Sequence, residues 1–288
     1  MNPVLRLAPE ADLTISATGN IGQSILGRSN MTDNSAQSRT VDRGGGVSIG
    51  GAPVSYTAIL AALVAVMALV PASIVVGGMA GGWPLHDVIH PVVGLLLGPI
   101  AGPIASLIGT VIGNVIAPYT NLGPWGVLIG SMCAFTVGMV MYPGRSLWFV
   151  PWIITFIAHV VYLYQAVSFG ISFPLWLSNV FTVDLGLILI VIPQIRNWAI
   201  ATIRAGVKNW KLFVALYIVF FFGSTAGIQL NWVPAFATNP WPAEVWPALI
   251  FIIAAERIAF AAVGTVIGFG LLVAIRRSPL AKAKLAGY

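Results

Sequence analysis

Apolar residues fill this chain in long blocks from Ala52 to Ile275, broken by short polar clusters. A bilayer core takes roughly 20 apolar residues of helix. Eight stretches meet or approach that length, at about 55–76, 86–98, 100–117, 124–142, 147–168, 172–193, 211–231 and 245–275. The second is short. It joins the third through Gly98-Pro99-Ile-Ala-Gly102-Pro103. Proline lacks the amide donor and clashes with the preceding turn, so a tight helical hairpin is expected there. Residues 196–210 have a different pattern. Arg196, Arg204 and Lys208 are interleaved with Trp198, Ile200 and Ile203, as in an amphipathic helix lying along a membrane face.

Residues 1–50 are rich in Ser, Asn, Thr, Gly and Asp and contain no long apolar run. Such a segment buries too little surface to offset the entropy of ordering. The expected organisation is therefore a disordered cytoplasmic tail over 1–50, a transmembrane helical domain over 51–278 and a short basic cytoplasmic tail over 279–288.

Composition sharpens the class. Apolar residues make up 58% of the chain and charged residues only 8%, where a soluble domain carries about 25%. The pattern predicts an all-α, polytopic transmembrane helical bundle of about eight spans. The net charge of +6 sits at span ends, which argues against nucleic-acid binding. Arg28, Arg39, Arg43, Arg145, Arg196, Arg204, Lys208, Lys211, Arg276, Arg277, Lys282 and Lys284 all fall on one side of an eight-span alternation. The loops of the other side contain no Lys or Arg. The positive-inside rule makes the basic side cytoplasmic. Both termini are then expected inside, in a cell-membrane protein. Cys133 is the single cysteine, so no intrachain disulfide forms. No P-loop is present, so ATP chemistry would come from a partner.

Between Arg43 and Arg145 the one formally charged side chain is Asp87, flanked by His86 and His90. Ionisable groups inside a membrane are costly and mark function or pairing. With topology assigned, Asn114, His159, Tyr162, Asn179, Asp184 and Glu256 join these three toward the outer side. The expected substrate site is His86, Asp87, His90, Asn114, His159, Tyr162, Asn179, Asp184 and Glu256. His86 and His90 have a spacing that can hold a metal. Without a further ligand cluster the site-lining reading is preferred, and no metal or cofactor is expected. Asp87 could equally cap the short helix. Glu256 and Arg257 diverge by about 100° around a helix. Arg257 is therefore expected to pair with Asp184, leaving Glu256 for ligand, although the reverse assignment is open. No enzymatic constellation appears: no Asp-rich prenyl-diphosphate motif, no zinc-protease motif and no serine–histidine pair.

The run Tyr56-Thr-Ala58-Ile-Leu-Ala61-Ala62-Leu-Val-Ala65 resembles the first helix of the substrate-binding (S) components of energy-coupling factor transporters, which carry an Ala-x-x-x-Ala motif. The run from Leu95 through Gly98, Gly102 and Gly109 to Asn114 is similar to their second and third helices. Residues 245–278 resemble the last helix more loosely. The family has six spans, so 145–231 does not map onto it. The resemblance implies a binder of a vitamin-like micronutrient taken from outside. Its partners would be the lipid bilayer, a transmembrane coupling protein and two ATPase subunits. Ala58, Ala61, Ala62 and Ala65 would dock the coupling protein. The other reading is a structural or accessory subunit of a larger membrane complex.

Overall fold

A computed structural model describes residues 47–73, 82–206, 208–278 and 282–288. Most of the expected N-terminal tail, the end of the first expected span and residues 279–281 lie outside these. Among the described residues eight α-helices carry the fold: α1 Val54–Met67, α2 His90–Ile116, α3 Val127–Val140, α4 Phe149–Ser168, α5 Phe173–Val191, α6 Pro193–Ala205, α7 Trp210–Thr238 and α8 Trp246–Arg277. The protein is an all-α helical bundle. Among the described residues, α2, α4, α5, α7 and α8 are each long and apolar enough to cross a bilayer, while α1 and α3 are shorter apolar helices. Two small hairpins complete it. β1 (Ser48–Ile49) pairs with β2 (Ala52–Pro53), and β3 (Pro71–Ser73) pairs with β4 (Trp83–Pro84), both antiparallel.

The expected break lies inside α2. Gly98 has φ 82° and ψ −173°, a conformation open essentially only to glycine. The chain doubles back there. A Cβ on Gly102 would lie 3.0 Å from the Cα of Gly94, and one on Gly113 would lie 3.6 Å from Nδ1 of His86. A straight helix would separate Gly94 and Gly102 by about 12 Å. α2 is therefore a hairpin with a short first arm, 90–97, and a long second arm, 99–116. Small residues let these backbones approach closely: Gly94 abuts Ala134 of α3, Gly109 abuts Ala61 and Val64 of α1, and Gly138 abuts Pro99.

The expected amphipathic segment forms α6. Ala199, Ile200 and Ile203 are buried while Asn197 and Arg204 are exposed. Gly206 closes the helix at φ 71°, the left-handed cap that glycine supplies without strain.

One end of the bundle collects the basic residues. Arg204 donates to the carbonyl of Tyr142, just past α3, and Arg276 donates to that of Ile203. Residues 282–288 seat at this end too. The amide of Lys284 donates to Gly51 O at 2.9 Å and that of Gly287 to Leu95 O at 3.2 Å. A Cβ at Gly98 would meet Leu285 O at 2.5 Å, so this segment lies directly against the α2 turn. At the opposite end the hydroxyls of Thr120 and Tyr119 donate to the carbonyls of Ala68 and Leu69 at the close of α1. Tyr162, Trp232, Phe236, Trp241 and Trp246 stack into one aromatic cluster.

Candidate functional site

The site begins with a one-turn 3-10 helix, Leu85–Val88, that feeds α2. It brings His86, Asp87 and His90 together, all buried, with one ligand atom from each within 4.8 Å of the others. His86 Nε2 lies 3.7 Å and His90 Nε2 3.6 Å from Asp87 Oδ1. His90 faces Gly130 of α3, where any side chain would collide with the imidazole: a Cβ there would lie 2.3 Å from its ring.

α8 supplies the other half. Arg257 is 1% exposed, with Nη1 4.0 Å from Asp87 Oδ2 and Nη2 3.8 Å from Glu256 Oε2. Its guanidinium sits 5.0 Å from the ring centroids of both Trp83 and Phe260 and 3.5 Å from Ser224 Oγ. The expected pairing of Arg257 with Asp184 is not what forms; Arg257 lies with Asp87. The 100° divergence of Glu256 and Arg257 does not keep them apart either, because the long arginine chain reaches back. Close packing on that face of α8 does occur, with Gly264 against Val88 and Gly268 against Phe220.

The second hairpin closes the cluster from the far end. Trp83 Nε1 donates to Asp87 Oδ2 and Ser73 Oγ to Glu256 Oε1. Asp87 therefore does not serve as a side-chain cap of α2, whose start has no such bond.

Six atoms of this cluster are buried without a hydrogen-bond partner among the described residues: His86 Nδ1, Asp87 Oδ1, His90 Nδ1 and Nε2, and Arg257 Nε and Nη2. Each such group costs about 1–3 kcal/mol when unsatisfied. The ion pairs at 3.6–4.0 Å exceed hydrogen-bond length. This is a buried polar cluster with donors and acceptors of both signs.

A second polar cluster spans α4, α5 and α7. His159 Nε2 lies 3.4 Å from Asp184 Oδ2, and Gln229 Nε2 donates to Asp184 Oδ1 at 3.2 Å. The imidazole packs on Trp176 with centroids 4.6 Å apart. Gln229 and Asp184 pair here as polar groups in membrane helices do, while His159 Nδ1 and Gln229 Oε1 are buried without a hydrogen-bond partner among the described residues. The carbonyl of Ile129 abuts Gly227, two residues before Gln229, and Gly130 abuts His90, so both clusters occupy one level of the bundle.

The expected site residues therefore divide. His86, Asp87, His90 and Glu256 come together; His159 and Asp184 form the other group. Tyr162 is buried in the aromatic cluster. Asn179 donates to Leu175 O of its own helix at 3.0 Å. Asn114 is half-buried near the end of the second arm. Sequence reasoning left Ser73 and Trp83 out of the site and kept Arg257 only as the open alternative to Glu256, on the signal of a charge inside a span. Trp83 had a readable signal, the four-residue spacing to Asp87; Ser73 had none.

The four alanines of α1 divide as well. Ala61 and Ala65 are buried, with Ala61 against Gly109 of α2, whereas Ala58 and Ala62 are exposed.

Residues 52–167 match the family described as the ECF-type riboflavin transporter, S component. Over that segment the chain is S-component-like. The matched segment runs from β2 nearly to the end of α4 and contains His86, Asp87 and His90. It stops before Arg257 and Glu256, so α8, whose resemblance to the family is loose, lies outside it. No curated protein and no solved structure matches the chain. The matched family is a component of a transporter, and the apolar helices make this a multi-pass membrane protein.

Proposed function

We propose that this protein is the membrane-embedded substrate-binding subunit of an energy-coupling factor importer, taking up a vitamin-like micronutrient. The observation that carries the reading is the Asp87 cluster: six buried polar atoms without a hydrogen-bond partner among the described residues, part of them inside the S-component-like segment, at the end of the bundle away from the basic residues. Ligand would enter from outside, past the β3–β4 hairpin, and be held by His86, Asp87, His90, Glu256 and Arg257. A molecule with hydrogen-bonding edges and a planar face suits donors and acceptors set beside Trp83. The basic end would face the cytoplasm by the positive-inside rule. There a transmembrane coupling protein with its ATPases would dock, on the open α1 face of Ala58 and Ala62 rather than on Ala61 and Ala65, which already pack on α2.

The test is ligand capture by the purified protein. Native mass spectrometry should show a co-purified small molecule. Titration with riboflavin, and then with other vitamins, should give saturable binding that Asp87→Asn weakens by about tenfold or more, the loss of one charge-assisted hydrogen bond. No saturable ligand, together with a lowered stability of Asp87→Asn, would favour a structural or accessory subunit instead.

A further inference from the structure

At the basic end, the loop between α3 and α4 and one face of α6 line an open cavity of about 430 Å³. Its polar lining is Arg145, Ser146, Arg196, Asn197 and Arg204, with Trp148 as an apolar wall. Two of the guanidiniums are fixed in place. Arg196 Nη1 donates to the closing carbonyls of α5, Ile190 O at 3.0 Å and Val191 O at 3.2 Å, and its guanidinium lies 4.3 Å over the Trp148 ring. Arg204 Nη2 donates to Tyr142 O at 2.7 Å. A guanidinium has five N–H donors, so both keep donors beyond these bonds. Ser146 Oγ is buried and has no hydrogen-bond partner among the described residues.

Among the described residues no Asp or Glu offsets these charges. The Asp and Glu residues after position 47 are Asp87, Asp184, Glu244 and Glu256. Three lie in the two clusters above, and Glu244 lies just before α8, at the other end. The cations crowd one another instead. Burial and the neighbouring guanidiniums of Arg276 and Arg204 hold the Lys282 ammonium below its ordinary range. Arginines placed around a cavity with hydroxyl and amide groups match the tetrahedral oxygens of phosphate, which they bind by forked, charge-assisted hydrogen bonds. The cavity lies at the ends of α4 and α5, and a basic pocket between helix ends suits an anionic headgroup.

We infer that this cavity is a phosphate-binding site, filled by the headgroup of an anionic lipid or by free phosphate. It shares no residue with the Asp87 cluster, so it stands or falls apart from the transport reading.

Two probes separate the sources. The full-length protein is reconstituted in phosphatidylglycerol or in phosphatidylcholine bilayers, extracted and examined by native mass spectrometry. In parallel, its thermal stability is followed against inorganic phosphate, with chloride at matched ionic strength. Retained phosphatidylglycerol identifies a lipid site; a saturable phosphate shift without lipid retention identifies a soluble anion. In either arm Arg145→Gln with Arg204→Gln should cut occupancy by about tenfold or more, from roughly 1 kcal/mol per basic contact. Lys208→Gln with Lys211→Gln removes equal charge outside the cavity and should leave occupancy unchanged. Arg145→Gln with Ser146→Ala spares the Arg204 bond to Tyr142 and guards against misfolding; it should also lose occupancy. Equal losses in the Lys208/Lys211 pair would show a diffuse field and overturn the site, as would retention of phosphatidylcholine to the same extent or no response in both arms.

Discussion

Asp87 and Arg257 define the chemistry at the scale of single residues, and each depends on the other. Removing one partner of a buried ion pair leaves an uncompensated charge, at about 3–5 kcal/mol. Arg257→Leu should therefore lower the unfolding midpoint sharply, since Asp87 and Glu256 would remain as neighbouring buried acids. Adding Asp87→Asn to it should recover part of the loss. Circular dichroism melts of the two single variants and the double variant check this; strict additivity would show the two groups uncoupled. Gly130 gives a sharper probe. A Cβ there lies 2.3 Å from the His90 ring, so Gly130→Ala should displace the imidazole and weaken ligand binding while Gly270→Ala in α8, which meets nothing within 4 Å, should leave binding intact. Asp87, His86 and His90 were legible in the sequence because charge is so scarce around them. The partnership with Arg257 was not, since it joins residues 170 positions apart through side-chain reach that helical periodicity does not encode.

Among the elements, α2 had the clearest signature. Two prolines and two glycines in a short apolar run mark a break, and the break is where Gly98 adopts φ 82°. Gly98→Ala should cost about 1–3 kcal/mol from backbone conformation alone, with more from the contact with Leu285. The melt should be lowered even in detergent without ligand. α1 was legible in outline and misleading in detail. Small-x-x-x-small spacing marks close packing, but not which partner is packed. The spacing selected four alanines; the fold shows Ala61 and Ala65 committed to α2. Ala58→Trp with Ala62→Trp should accordingly abolish uptake in cells while the purified protein still binds ligand. If uptake survives, the exposed α1 face is not the docking surface. The β3–β4 hairpin had no periodic signal, being too short to show one.

For the molecule as a whole, charge distribution was the most readable property. Every Lys and Arg of the described residues except Arg257 gathers toward one end, as the alternation of basic and neutral loops required. Cys133 is buried and is the single cysteine, so a Cys133→Ala background permits site-directed labelling. A cysteine placed at Arg145 should react with an impermeant maleimide only after cells are opened, and one at Tyr119 should react in intact cells; the reverse pattern would invert the orientation. The α2 turn also sets a scale for the whole site. His86 lies twelve positions before Gly98, and Gly113, which it meets, fifteen after. The place of the triad is thus a count of residues from a fixed pivot, along an arm with no slack. Deleting one residue from that arm would turn His86, Asp87 and His90 by about 100° and shift them by about 1.5 Å, toward lipid or a neighbouring helix. The protein should tolerate changed side chains along this arm far better than changed length.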